Sequence, residues 1–424
     1  MERARKRTPL FDWHKAGGAH MMEFGGFEMP LWYPTGAKRE HLSVLTQAGL
    51  FDTSHMSVLE VRGPGGVDLL QLCFTRDLNA CVPPRRGALV SGRSVYGAFL
   101  NERGECLDDA IVFQLAEERY LVVVNAGMGS VVAAHLEAHR GRMAAEVFDL
   151  SEKVGKVDLQ GPASARILRA VLSAPESALP GMSYFSFKGH FDVASSRESE
   201  IRLTDGTPIL LSRTGYTGEF GFEIFVRPER LVGLWESLLA AGRDLGLVPC
   251  GLAARDSLRV GAVLPLSHQD IGPWPFIRNP WEFALPFRPD RAGFTKDFVG
   301  AEALLGAADA EYTFPFVGFD PRKVADRGQA VVLDGSGKEI GSVLSCATDM
   351  GIGRHEGRIY SVVSPGRPQG FRPAGLSCGF LKVKPGLETG DTVALKDERR
   401  TVRVDVVADI RPDRTGRRPM RDML

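Results

Sequence analysis

Apolar and polar residues alternate with period two along several stretches of this chain, and stretches with apolar residues three and four apart lie between them. Residues 94–113 run S-V-Y-G-A-F-L, break at N-E-R-G-E and resume as C-L-D-D-A-I-V-F, which predicts a β-hairpin. Y-L-V-V-V-N at 120–125 predicts a buried strand, and 130–148 a helix followed by a short strand. Helices are also predicted over 38–48, with Leu42, Leu45 and Ala48 on one face and Gly49 as the stop, and after the G-P-G-G turn at 63–66. Two more are predicted from Ala163 and over 231–245. L-F-D-T-S-H-M-S-V-L-E-V at 50–61 predicts one strand with Met56 inside it. Beyond Ala310 the pattern is short strands parted by Gly and Asp turns, which predicts a small β-barrel. The fold class is therefore α+β. A doubly wound nucleotide site is excluded, because no G-x-G-x-x-G follows a strand and no G-x-x-x-x-G-K-[ST] occurs.

The densest stretch is 212–226, S-R-T-G-Y-T-G-E-F-G-F-E-I-F-V, a strand, a Gly-rich turn and a second strand. Gly215, Gly218 and Gly221 permit positive φ or close backbone approach, so the loop can wrap a flat ligand. On the outgoing strand Phe222, Ile224 and Val226 share one face and Glu223 and Phe225 the other. Glu223 is either a solvated turn residue, like Glu219, or a carboxylate that accepts two parallel hydrogen bonds from a ring presenting N–H and NH2 side by side. In the hairpin, Asp109 shares a face with Leu107, Ile111 and Phe113, and Asp108 the other with Ala110 and Val112. One of two adjacent acids is thus forced toward an apolar wall, where a carboxyl group gains a raised pKa and can exchange protons near neutral pH. If both acids instead sit at a wet hairpin mouth, that chemistry is lost. In A-R-D-S-L-R, helical spacing puts Arg255 and Arg259 on one side, as a structural Arg–Asp network or as a pocket arginine.

Composition narrows the field. The 424 residues hold 52 Lys plus Arg against 52 Asp plus Glu, so no net field draws the chain to nucleic acid or to an anionic membrane. Basic residues gather at Arg3, Arg5, Lys6 and Arg7 and at Arg411, Arg414, Arg417, Arg418 and Arg421, the latter group read as a solvated tail. Six cysteines without C-x-x-C or metal-ligand spacing suggest reduced, mostly buried thiols and no metal. No apolar run suits a signal peptide or a membrane span, so a soluble cytoplasmic protein is expected.

T-G-Y-T-G-E-x-G-F-E resembles the folate-site signature of the aminomethyltransferase family, to which the T-protein of glycine cleavage belongs. The opening T-P-L-F-D-W-H…F-G-G-F-E-M-P-L-W-Y, S-H-M at 54–56, K-V-D-L-Q-G-P, A-R-D-S-L-R and K-D-F-V-G-A-E-A-L-L extend the likeness, in order, over about residues 8–410. The resemblance implies a three-part folate-binding fold: a tetrahydrofolate-binding catalytic region at 1–310, built of two intertwined α+β subdomains, and a C-terminal β-barrel domain at 311–424. It implies tetrahydrofolate as cofactor, Asp109 as the catalytic acid and Glu223 as the pterin anchor, with Tyr96, Met56, Val124, Asn125, Tyr216 and Arg255 around the cofactor.

From Val260 to Phe287 the chain departs from the family. Val260–Val263 stand where L-E-A-G is usual, Ser267–Asp270 where Y-G-x-[ED] is usual, and then comes I-G-P-W-P-F-I-R-N-P-W-E-F-A-L-P-F. Its Trp274, Phe276, Trp281 and Phe283 form either a local core or the wall of a pocket for another substrate. His268 beside it is read as a satisfied structural histidine, and the irregular piece near 351–372 as a cover for the pocket. The expected partner is thus a lipoyl carrier protein or a small-molecule methyl donor. A non-catalytic folate-binding relative is the third reading, which retention of Asp109 disfavours.

Overall fold

The computed structural model describes residues 5–82, 87–192, 201–384 and 386–424; of the basic N-terminal group, Arg3 lies outside them. Two sheets and a barrel organise the chain. Gly221–Val226, buried at every position, lies inside a seven-stranded sheet between Pro208–Ser212 and Gly155–Gln160, and Ala48–Asp52 and Leu247–Cys250 continue it. All its pairs are antiparallel except Leu247–Cys250 with Ala48–Asp52. Phe222, Ile224 and Val226 pack on the helices Ser164–Val171 and Leu231–Gly242, with Trp235 at the centre. The opposite face carries Phe225, whose ring meets Phe113 edge-on at 5.7 Å.

Phe113 belongs to the predicted hairpin, Ser94–Leu100 with Cys106–Ala116, which joins Arg119–Val124, Ser57–Arg62 and Glu146–Asp149 in a five-stranded sheet. Phe225 therefore ties the two sheets together, and its loss would cost about 3–5 kcal/mol. The back of the five-stranded sheet is covered by the helices Gly66–Cys73 and Gly129–Arg140.

Six strands from Tyr312–Gly318 to Thr401–Val406 close a barrel. Its Phe380, Leu344 and Val317 share one core with Ala98 and Leu100 of the hairpin and with Phe276 and Trp281. Among the described residues no helix is long and apolar enough to cross a membrane.

Several boundaries differ from expectation. The helix over 38–48 is Ala37–Thr46, and Ala48 and Gly49 open the next strand. Gly49 is there because a Cβ would lie 2.5 Å from the Val44 side chain and 2.6 Å from Cys250 Sγ, not because it ends a helix. The stretch 50–61 is two strands from different sheets, with Met56 in the turn between them. The 351–372 piece contains the hairpin Ile352–His355/Arg358–Ser361; Gly351 sits on Leu45 and Val362 packs beside Val44 and Leu45, so it braces a helix and does not line the cavity. Only part of the C-terminal group is a solvated tail: Arg417, Arg418 and Arg421 are exposed, whereas Arg411 is fully buried.

Candidate active site

A cavity of about 1290 Å³ opens where the hairpin, the signature strand, the helix Leu252–Gly261, the barrel and the C-terminal segment converge. Asp109, Tyr96, Met56, Asn125, Tyr216, Glu223 and Arg255 all line it. Val124 does not. Side chains alternate across Arg119–Val124, so Val123 faces the cavity and Val124 the core behind the sheet.

Around Asp109 the hairpin register decides the geometry. Ala98 pairs with Asp109 and Tyr96 with Ile111, so Tyr96 lies diagonally across from Asp109 on the same face. Its Oη donates to Asp109 Oδ2 at 2.9 Å. Asn125 clamps both acids: Nδ2 donates to Asp109 Oδ1 at 2.7 Å and Asp108 Oδ1 at 2.8 Å, and its backbone N–H to Asp108 Oδ2 at 2.8 Å. No cation pairs with either carboxyl among the described ion pairs. Burial, then the negative charge of Asp108, raises Asp109 to about 7, against which Tyr96 and Asn125 pull only partly. Burial also raises Asp108, to about 6. The two acids titrate as a pair that holds a proton near neutral pH.

Glu223 lives in the opposite electrostatic setting. Lys156 Nζ donates to Glu223 Oε1 at 2.7 Å and to Asp158 Oδ1 at 2.5 Å, and Thr214 Oγ1 donates to Glu223 Oε2. Arg255 Nη1 donates to Asp158 Oδ2 at 2.9 Å while its guanidinium lies 4.7 Å over the Tyr216 ring. Arg255 thus belongs to a charge network and to the cavity wall together. A carboxylate offers about four acceptor sites; two internal donors leave Glu223 room for a pair of ligand N–H groups.

The glycines of the signature have two separate reasons. A Cβ at Gly215 or Gly221 would strike the Gln160 side chain at 2.1 or 2.6 Å, and Gly218 stands at φ 74° with Ala262 and Arg414 pressed against it. Gln160 itself bonds the loop, accepting from Thr217 Oγ1 at 2.9 Å and donating to the Phe222 carbonyl at 3.1 Å.

The divergent segment is both core and wall. Phe276 and Trp281 are buried, while Trp274, Trp281 and Phe283 line the cavity; Phe283 is 57% exposed, its ring 5.7 Å from that of Tyr96. His268 is not a satisfied structural histidine. It is exposed at the cavity, with a positive φ of 62° and no hydrogen bond to a described residue.

Residues that the sequence reading passed over complete the site. Lys156 and Asp158 are two charges on one face of the fully buried Gly155–Gln160 strand, a pattern rarely seen unless they serve each other or a ligand. His55 lines the cavity with Nδ1 buried and unpartnered, and burial, then Arg255, depresses its pKa to about 4. Arg414 and Arg417 line the cavity from the C-terminal segment.

Residues 10–285 match the family model for the GCVT N-terminal domain. The chain belongs to the aminomethyltransferase family. It is 39% identical over 342 residues to an aminomethyltransferase of Symbiobacterium thermophilum, covering 79% of this chain and 84% of that one. Identity to the aminomethyltransferase of Geobacillus sp. strain WCH70 is 33% over 413 residues, 96% of this chain and 95% of that one. The crystal structure of the glycine cleavage system aminomethyltransferase T from Bartonella henselae superposes with a TM-score of 0.72 at 29% identity, over 95% and 96% of the two chains. Membership in the aminomethyltransferase family makes the protein a one-carbon transferase, with a three-part fold ending in a closed barrel.

Proposed function

We propose that the cavity binds tetrahydrofolate and that the protein moves a one-carbon unit onto it from a donor, with residues 1–310 as the catalytic region and 311–424 as the barrel domain. One observation carries this reading: Asp109 and Glu223, in opposite electrostatic settings, border the same cavity. The open acceptor sites of Glu223 and the unpartnered Nδ1 of His55 fit a heterocycle rich in N–H groups. When bound, tetrahydrofolate supplies the nucleophilic nitrogens that accept the carbon.

Glu223 would hold the amidine edge of the ring, and Lys156 spares it the cost of an unpaired buried charge. Tyr216, held under Arg255, and Met56 line the cavity where they would flank the ring. Asp109, oriented by Tyr96 and Asn125, would give a proton to the leaving heteroatom and take one from the attacking nitrogen, contributing roughly 10²–10⁴ in rate.

For the donor, a lipoyl-borne aminomethyl group is favoured by likeness to aminomethyltransferases over nearly the whole chain. A methylated small molecule is favoured by the exposed Phe283 beside Tyr96. Incubation with tetrahydrofolate and each donor class decides between them. Methylene-tetrahydrofolate formed only with the lipoyl carrier supports the first, methyl-tetrahydrofolate from a small methylated donor the second, and no product from either would overturn one-carbon transfer.

A further inference from the structure

On the face of the five-stranded sheet turned away from the cavity, the helices Gly66–Cys73 and Gly129–Arg140 meet. Cys73 ends the first, and His135 and His139 stand one turn apart on the second, so both project from the same side. One ligand atom from each of the three lies within 4.8 Å of the other two. The two imidazole rings are 4.5 Å apart, and the Phe99 ring backs His135 at 6.3 Å.

The hydrogen bonding of this cluster is incomplete in a directed way. His135 Nε2 is buried without a partner, a state that costs about 1–3 kcal/mol for a polar atom. His139 Nδ1 lies 2.8 Å from the carbonyl oxygen of His135. A carbonyl only accepts, so Nδ1 carries the proton and Nε2 of the neutral ring keeps its lone pair. The same backbone bond fixes the orientation of metal-ligating histidines. That Nε2 lies 3.2 Å from Oε1 of Glu102, an exposed carboxylate in the hairpin turn. Two acceptors at that distance need a proton or a cation between them.

We propose that Cys73, His135 and His139 form a binding site for a divalent transition metal ion, with Glu102 or water as the fourth ligand. One thiolate and two imidazoles are the borderline-soft set that suits zinc. Tetrahedral zinc with bonds of ~2.0–2.3 Å brings its ligand atoms to within about 3.3–3.8 Å of one another, so the three side chains, now within 4.8 Å, close by roughly 1 Å to hold it. The ion replaces the proton on Cys73 Sγ, and binding therefore releases protons and tightens as pH rises. Bound there, it pins together the two helices that back the strand bearing Asp108 and Asp109. This site does not depend on the reading of the cavity.

The test is a titration of the chelator-stripped full-length protein with zinc against a chromophoric chelator, and with cobalt by absorption. One equivalent should bind, with a thiolate-to-cobalt charge-transfer band. Cys73→Ser should abolish the band and weaken zinc by more than the 10–100-fold that loss of an outer-shell partner costs. His139→Gln, at a partly exposed position, should weaken zinc as much and keeps the test open if Cys73→Ser does not fold. His355→Gln, on the exposed hairpin, should leave binding unchanged. Absence of stoichiometric binding, or binding equal in parent, Cys73→Ser and His139→Gln, would overturn the site.

Discussion

Replacing Asp109 by Asn removes the titrating carboxyl while keeping the shape that Tyr96 and Asn125 hold, so it tests the raised pKa directly. In the folded protein this group moves from 3.8 up to about 7. Between those values the folded state keeps a proton that the unfolded chain has released, and the unfolding free energy falls as pH rises. The contribution is complete below pH 4 and lost as pH passes through 7. At about 1.36 kcal/mol per pH unit, the rise sets a ceiling of about 4 kcal/mol. Asp109 is only half-buried on its cavity side, where water solvates the ionised form, so about 2 kcal/mol is the expected loss.

Of that loss only the part above pH 5 falls between the two measurements, so Asp109→Asn should gain about 1.3 kcal/mol on the parent between pH 5 and pH 8, read by urea unfolding at both values. In the transfer assay it should lose roughly 10²–10⁴ in kcat/KM, and the limb of the parent's pH profile near 7 should vanish. Asp108, no longer facing a second negative charge, should titrate lower. A stability difference that stays the same at pH 5 and pH 8 would refute the argument, because the carboxyl would then titrate alike folded and unfolded.

Three further outcomes follow from the same structure. Arg411→Met leaves Glu219 and Asp349 without the guanidinium that bonds both, and should cost about 3–5 kcal/mol in urea unfolding. Glu223→Gln replaces a charged acceptor by an amide and should weaken tetrahydrofolate binding roughly 10–100-fold by calorimetry; unchanged affinity would remove Glu223 from the site. Phe283→Ala, at an exposed wall position, should change stability by no more than about 0.5 kcal/mol yet raise KM for the donor; a larger loss of stability with unchanged KM would make Phe283 core.

The hairpin and the signature strand were legible because period-two patterning set the faces of Asp109 and Glu223 before any tertiary contact was known. Val124 went astray through a motif likeness that its own alternation contradicts: Val123 is the residue on the cavity face. Arg411 looked like part of a tail because its partners are distant in sequence. Arg411 reaches Glu219 192 positions away, donates to the Thr217 carbonyl, and meets Asp349 at 2.6 Å. Asp349 is desolvated, yet His41 and Arg411 hold it well below the usual carboxylate range. No local pattern announces such a contact. The H-x-x-x-H spacing of His135 and His139 stood in the sequence, but Cys73 joins it only because two helices pack.

The two acids of the cavity differ in what surrounds them, and that difference assigns their work. Asp109 is desolvated beside a second acid with no cation paired to it among the described ion pairs, which favours its neutral form against the pull of Tyr96 and Asn125; Glu223 has an ammonium and a hydroxyl, which serve an acceptor. Lys156 is then the residue that separates the roles. Lys156→Met would leave Glu223 and its strand-pair neighbour Asp158 as two buried carboxyls with only Arg255, on the far oxygen of Asp158, as counter-charge. Like charges in that position retain a proton. Measured in an Asp109→Asn background with the ligand's own titration subtracted, tetrahydrofolate affinity should fall toward pH 5 more steeply in Lys156→Met than with Lys156 in place. An affinity that falls no more steeply in Lys156→Met would show that the ammonium does not govern the acceptor, and the division of labour between the two carboxyls would then need another cause.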